Sequence, residues 1–269
     1  MKKLATALVS AAAIMTMSTT AFAAENPAEV FDRVMEKNNT IQSAEIQSGV
    51  HSVILAKDLI PDGQMKVDMA MHAEMDMQDT TDLKYLAQVA SSILGQDSYS
   101  QVFYTDGYYY VDANGVKLKY PMPLEQIISS VQTGVNTSNM ESSYMKGISL
   151  NEVNGKRVLA YEANPKKLNK NVKEALGTVM NTLGTDANLD MDIQEMKGAY
   201  VLDDNDYIIY MTNYIVYNME VLDQPMTCIT LMETEVQNPG EPVVVTLPST
   251  DGYEDLIGLY DGVIESEVE

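Results

Sequence analysis

The sequence predicts an α+β protein whose strands form an antiparallel sheet, and three observations carry that reading. Strand-period alternation recurs along the chain, most clearly over residues 65–77, where Met65, Val67, Met69, Met71, Ala73, Met75 and Met77 take every odd position. Asp106-Gly107, Asn114-Gly115 and Asn154-Gly155 stand between short β-prone runs, and such pairs supply the positive φ angles that close hairpins. Helical spacing appears in only a few separate stretches, so strands follow strands instead of alternating regularly with helices.

Taken in order, the chain opens with Lys2 and Lys3, an apolar and small-residue run, and Ala21-Phe22-Ala23 before Ala24. That is the layout of a secretory signal over residues 1–23, with cleavage expected after Ala23 and a mature protein that works secreted, on the extracellular side of the cell envelope. The apolar run is too short and too rich in Ser and Thr to span a bilayer, which needs ~20 apolar residues. No Cys lies near the cleavage point, and Leu247-Pro248-Ser249-Thr250 is followed by Asp251 and an acidic end. Neither a lipid anchor nor a wall-sorting signal is expected, so no stable membrane anchor is expected.

Residues 27–38 place Val30, Phe31 and Val34 at helical spacing behind Pro27, which predicts a short amphipathic helix lying against the sheet. Residues 41–55 alternate as a strand, and Pro61-Asp62-Gly63 makes a turn. The strand over residues 65–77 follows, with Lys66, Asp68, His72, Glu74 and Asp76 on its wet face. Residues 82–94 carry Leu83, Leu86, Val89 and Ile93 at helical spacing and read as a helix.

A meander comes next: residues 101–104, 108–111 and 116–120, joined at Asp106-Gly107 and Asn114-Gly115 and ended by Pro121 and Pro123. Residues 124–135 read as a helix, Asn154-Gly155 as a hairpin turn, and residues 165–183 as the longest helix, stopped by Gly184. Strands are expected at residues 196–202, 207–221 and 226–236, with a final short one at 243–247. No composition break or linker divides the chain, which predicts one domain over residues 24–250 and an acidic tail over 251–269.

The chain carries 39 acidic against 17 basic residues, and loss of Lys2 and Lys3 takes the formal charge from -22 to about -24. Such a field repels phosphate polymers, so nucleic acid and anionic bilayer surfaces are disfavoured partners. The single cysteine, Cys228, can form no internal disulfide, so a packed core must supply stability.

Residues 104–110 read Tyr-Thr-Asp-Gly-Tyr-Tyr-Tyr, and residues 115–121 Gly-Val-Lys-Leu-Lys-Tyr-Pro. Residues 153–156 are Val-Asn-Gly-Lys, and residues 238–248 read Asn-Pro-Gly-Glu-Pro-Val-Val-Val-Thr-Leu-Pro. Together these resemble an uncharacterised family of secreted proteins and lipoproteins of Gram-positive bacteria. That family looks related in fold to the lipoprotein-localisation carriers and the mycobacterial glycolipid-transfer lipoproteins. The resemblance implies a strongly curved antiparallel half-barrel with helices on its concave face; it carries over no functional residue.

Methionine side chains are long, unbranched and polarisable, and repack around irregular apolar shapes. A stripe of them on a concave sheet suits a lipid, acyl chain or lipopeptide, with Met65, Val67, Met69, Met71, Met75 and Met77 as ligand-lining candidates; the same stripe also suits plain core beneath helices. The strand tyrosines are explained by sheet packing. Asp186, Asn188, Asp190 and Asp192 begin like a calcium loop, but Met191 replaces the turn glycine and Lys197 the closing acid, so no metal is assigned. With His51 and His72 the only histidines and no nucleophile or phosphate-loop motif, no enzymatic activity and no cofactor are expected. The expected function is an exported protein that binds or shields an apolar ligand. A protein-binding or sensor module of the envelope, with an envelope protein as partner, is the alternative.

Overall fold

The computed structural model describes residues 25–56, 60, 62–79, 83–123, 140–170, 191–221 and 224–256. The expected signal segment, the helix over 124–135, the second half of the helix over 165–183, residues 186–190 and the tail beyond 256 lie outside the described residues.

Helix α1 spans Pro27–Asn38. The strands are β1 (Ser43–Leu55), β2 (Gln64–Asp76), β3 (Lys84–Ile93), β4 (Gln96–Thr105), β5 (Tyr108–Ala113) and β6 (Val116–Pro121), then β7 (Met145–Val153), β8 (Lys156–Ala163), β9 (Met191–Leu202), β10 (Ile208–Val221), β11 (Gln224–Gln237) and β12 (Glu254–Asp255). They make one open sheet in the order β12-β6-β5-β4-β3-β2-β1-β11-β10-β9-β8-β7. Neighbours in sequence are largely neighbours in space, as hairpin turns dictate. Asp106 and Gly107 take φ values of 54° and 79°, Asn114 and Gly115 52° and 89°, Asn154 and Gly155 52° and 74°, the left-handed pairs that two-residue hairpins require.

The chain packs as two compact units, one containing α1, Gly49–Asp68 and Ser138–Glu235, the other Asn39–Ser48, Met69–Thr137 and Val236–Glu269. In the first, the apolar stripe of α1 (Val30, Phe31, Val34, Met35) lies on Leu159 and Tyr161 of β8 and Tyr200 and Leu202 of β9. Asn26 Oδ1 accepts from the Ala28 N–H at 3.1 Å and caps the helix start. At its far end Asn38 Nδ2 donates to Val34 O at 2.7 Å while its Oδ1 accepts from the Ile208 N–H at 2.9 Å, so the helix stops where it is tied to β10. Gly198 of β9 is required by close approach: a Cβ there would lie 2.5 Å from Asn213 Oδ1, 2.5 Å from Thr212 O and 2.8 Å from the Tyr161 hydroxyl.

In the second unit both sheet faces are covered at one end. One face buries Ala44, Ile46, Ala73, Met75, Met77, Leu83, Ala87 and Tyr104 with Val236. The other buries Leu86, Phe103 and Tyr110 beneath Val243, Val245, Leu247 and Tyr253. Phe103 and Tyr110 stack with centroids 4.6 Å apart, and Tyr253 meets both rings edge-on at 5.6 and 5.1 Å.

Two expected elements are corrected. Residues 82–94 do not form a helix: Lys84–Ile93 is β3, in register with β4 from Tyr85↔Tyr104 to Ile93↔Gln96. Leu83 and Ala87 serve one face and Leu86 the other. A strand covered on both sides loses the period of two, and its apolar residues then imitate helical spacing until pairing partners decide. Residues 243–247 run extended but join no ladder. They lie across the sheet face with Val243, Val245 and Leu247 inward, and their amides go to side chains: Val243 N–H to Ser43 Oγ at 3.1 Å and Thr246 N–H to Glu74 Oε2 at 3.4 Å. Past residue 250 the chain stays packed, with Tyr253 buried and β12 pairing in parallel with β6.

Candidate functional site

Strand β2 carries the methionine stripe, and alternation puts all of it on one face. Along that face the cover changes. Met75 is 1 % exposed and Met77 is buried beside it, whereas Met71 and Met69 are 36 % and 40 % exposed. The same gradient runs along neighbouring β3, whose Tyr85 and Ala87 belong to the covered cluster while Ile93 is 42 % exposed. In the second unit, therefore, the covered cluster gives way along β2 to exposed Met71 and Met69 and along β3 to exposed Ile93. Met65 and Val67, in the first unit, are half-buried.

On the opposite face of β2 the polar residues pair with one another. His72 Nε2 lies 3.1 Å from Glu74 Oε1 with Glu45 Oε1 3.9 Å from its Nδ1, and His51 Nδ1 lies 2.7 Å from Asp68 Oδ1. Tyrosines border the methionine face. Burial, with Tyr85 and Tyr120 close by, pushes the Tyr109 hydroxyl up to about 12, and burial likewise raises Tyr85. These phenols are packed against the covered cluster and stay neutral across the physiological range.

Other sequence candidates resolve into packing. Cys228 is buried with its Sγ 3.9 Å from Met219 Sδ. Asp192 accepts from Asn169 Nδ2 and Gln194 Nε2, both at 2.6 Å, and so serves the chain's own amides. Among the described residues no group of three or more His, Cys, Asp or Glu side chains is placed to hold a metal ion. Among them also, no helix is long and apolar enough to cross a membrane.

Sequence reasoning missed the apolar tip beside the stripe. Leu94, 70 % exposed, sits at φ 52° in the two-residue turn with Gly95, and Val116, 61 % exposed, opens β6. Its signal was available: Leu94-Gly95 between two β-compatible runs is a hairpin with an unusual apolar residue in the turn.

Fold and face together define a β-sheet protein with a methionine-rich apolar surface left open at one end of a packed core. Residues 26–248 match the model of a family of unknown function (DUF6612), and the chain belongs to that family. No curated protein matches it. Among solved structures it is similar to LprF from Mycobacterium bovis, at 10% identity and TM-score 0.35 over 83% of this chain and 97% of that one. The lipoprotein LppX from Mycobacterium tuberculosis is similar at 10% identity and TM-score 0.35, over 82% of this chain and 100% of that one. A β-barrel-like protein from Brucella abortus, of the DUF1849 domain, follows at 11% identity and TM-score 0.24, over 74% and 100%.

Proposed function

We propose that this chain is an exported, non-enzymatic protein that binds or shields an apolar ligand, of the class of a lipid, acyl chain or lipopeptide, on the methionine face of its sheet. One observation carries the reading: the stripe that is core at Met75 is open at Met69 and Met71, in mid-strand, where alternation alone would bury them equally. Methionines left in contact with water offer an adaptable apolar surface, and a ligand covering them gains ~0.8 kcal/mol per buried methylene before ordering costs. Met69 and Met71 are the contact residues, Met75 and Met77 the packed base on which they stand, and Met65 and Val67 the continuation of the stripe. The reading includes the curved half-barrel with helices on its concave side that the resemblance implies, and release after cleavage near Ala23.

The test is native mass spectrometry and solvent extraction of the purified protein beside its Met69→Ser/Met71→Ser variant. Co-purifying lipid that falls at least tenfold in the variant is the expected result. Equal lipid in both, or none in either together with capture of an envelope protein, would overturn it.

A further inference from the structure

We propose that the β3–β4 turn is a bilayer-docking tip, with Leu94 entering the interfacial layer, Ile93 beside it, and Tyr99 and Val116 further down. The proposal extends the apolar-face reading to where such a ligand is exchanged, but it stands on observations of its own.

Leu94 combines two features that packing does not explain. It is the most exposed large apolar side chain of the turn, and its backbone sits at φ 52°, a region that costs a non-glycine residue free energy. An Asn there would relieve both. Beside it Ile93 is 42 % exposed; four to five residues further down, Tyr99, opposite Ala90, is 43 % and Val116 61 % exposed, and the Asn114 N–H donates to Tyr99 O at 2.9 Å, which ties the β5–β6 turn to this half of the hairpin.

The charge pattern points to the same occupant. The hairpin from Lys84 to Thr105 holds two charged residues, Lys84 at its base and Asp97 near the turn, in a chain that is 21% charged with a net charge of -22. Apart from Asp97, the polar side chains below the apex are uncharged and hydrogen-bond across the strands: Ser91 with Ser98 at 2.6 Å and, further down, Gln88 with Gln101 at 2.9 Å. The strand pairing from Tyr85↔Tyr104 to Ile93↔Gln96 runs up to the turn, so backbone groups would enter the interface already satisfied. A tyrosine further down suits the headgroup level, where an apolar ring and a polar tip are both accommodated. A protein partner fits less well: stable interfaces take about 800 Å² per side, and Leu94 and Ile93 at the turn with Tyr99 and Val116 further down fall short of that. A bilayer needs only a protruding apolar point.

The chain contains no tryptophan, so Leu94→Trp creates a single fluorophore at the apex. Its emission should shift to the blue on mixing with phosphatidylcholine vesicles and be quenched by bromine placed high on the acyl chains. Ile93→Trp should behave alike, which guards against a misfolded turn. In vesicle flotation Leu94→Asp should bind at least tenfold more weakly than the wild type, and anionic phosphatidylglycerol vesicles should bind less than neutral ones until salt screens the chain's charge. Unshifted emission in both tryptophan variants, equal flotation of Leu94→Asp, or a shift that grows with protein concentration without vesicles would each overturn the proposal. Docking that persists without co-purified lipid would sink only the ligand reading; bound lipid without docking would sink only this one.

Discussion

Arg33 Nε donates to Asp206 Oδ2 at 2.8 Å, tying α1 to the turn between β9 and β10. Arg157 holds the other carboxylate oxygen, and Glu25 lies 2.8 Å from Arg33 Nη2. A helix 12 residues long has little stability of its own, so these contacts and its buried stripe must hold it.

Burial pushes the Asp206 pKa up, but hydrogen bonds from Arg33 and Arg157, with their charges, outweigh it and leave the carboxyl below its ordinary value. A lowered folded pKa contributes stability above the unfolded value, near 4, that is lost as pH falls through the folded one. Asp206→Asn should therefore cost about 1–2 kcal/mol at neutral pH, discounted for the exposure of Arg33. Urea unfolding at pH 7 and pH 3 checks this, since the gap from wild type should narrow in acid; an unchanged gap would refute the linkage.

Gly198→Ala forces a methyl group against Asn213 Oδ1, Thr212 O and the Tyr161 hydroxyl, two of these three belonging to buried side chains with little room to retreat. A loss of about 3 kcal/mol is expected, at the upper end for overpacking a filled site. A denaturation midpoint within error of wild type would show that the strands separate easily there.

Methionine truncation should separate core from surface along one strand. Met75→Ala should cost about 2–5 kcal/mol, as for emptying a filled core position, and Met69→Ala within about 0.5 kcal/mol, as for a surface position. Thermal unfolding of both variants without lipid decides it. Equal losses would mean that Met69 is as covered as Met75.

Alkaline pH should act through the buried phenols. Tyr109 is pushed up to about 12 by burial and by Tyr85 and Tyr120, and Tyr200 to about 12 by burial, against a lowering hydrogen bond with Tyr161. A raised folded pKa means stability that is complete below the unfolded value, about 10, and declines as pH rises through the folded one. Unfolding should set in between about pH 10 and 12, accompanied by phenolate absorbance from these rings. Release of all 16 tyrosines in one step near pH 10 without unfolding would contradict it.

Leu94→Gly should stabilise the protein by about 0.5–1 kcal/mol by removing the left-handed penalty. The same change should weaken vesicle binding, so stability and docking would move in opposite directions. A loss of stability would show that the leucine is packed after all.

Much of the fold was legible because hairpins are local. Asp106-Gly107, Asn114-Gly115 and Asn154-Gly155 fixed three turns from two residues each, and the Pro27 helix was read to its ends from spacing and the proline. β3 and residues 243–247 were misread because neither carries its deciding contacts within reach: β3 needs partners on both sides, and residues 243–247 are held by Ser43 and Glu74.

By itself the sequence determined which side chains share a face, since alternation needs only the backbone's own geometry, and it placed Met65 to Met77 on one side of β2. The tertiary structure alone decided how much of that face is covered. Burial draws on chain far away, Val236 of β11 in the cluster of Met75 and Tyr253 on the reverse face, and it is a sum over atoms that no local pattern contains. Met75 and Met69 are equivalent in sequence and differ only in what the rest of the fold brings to them.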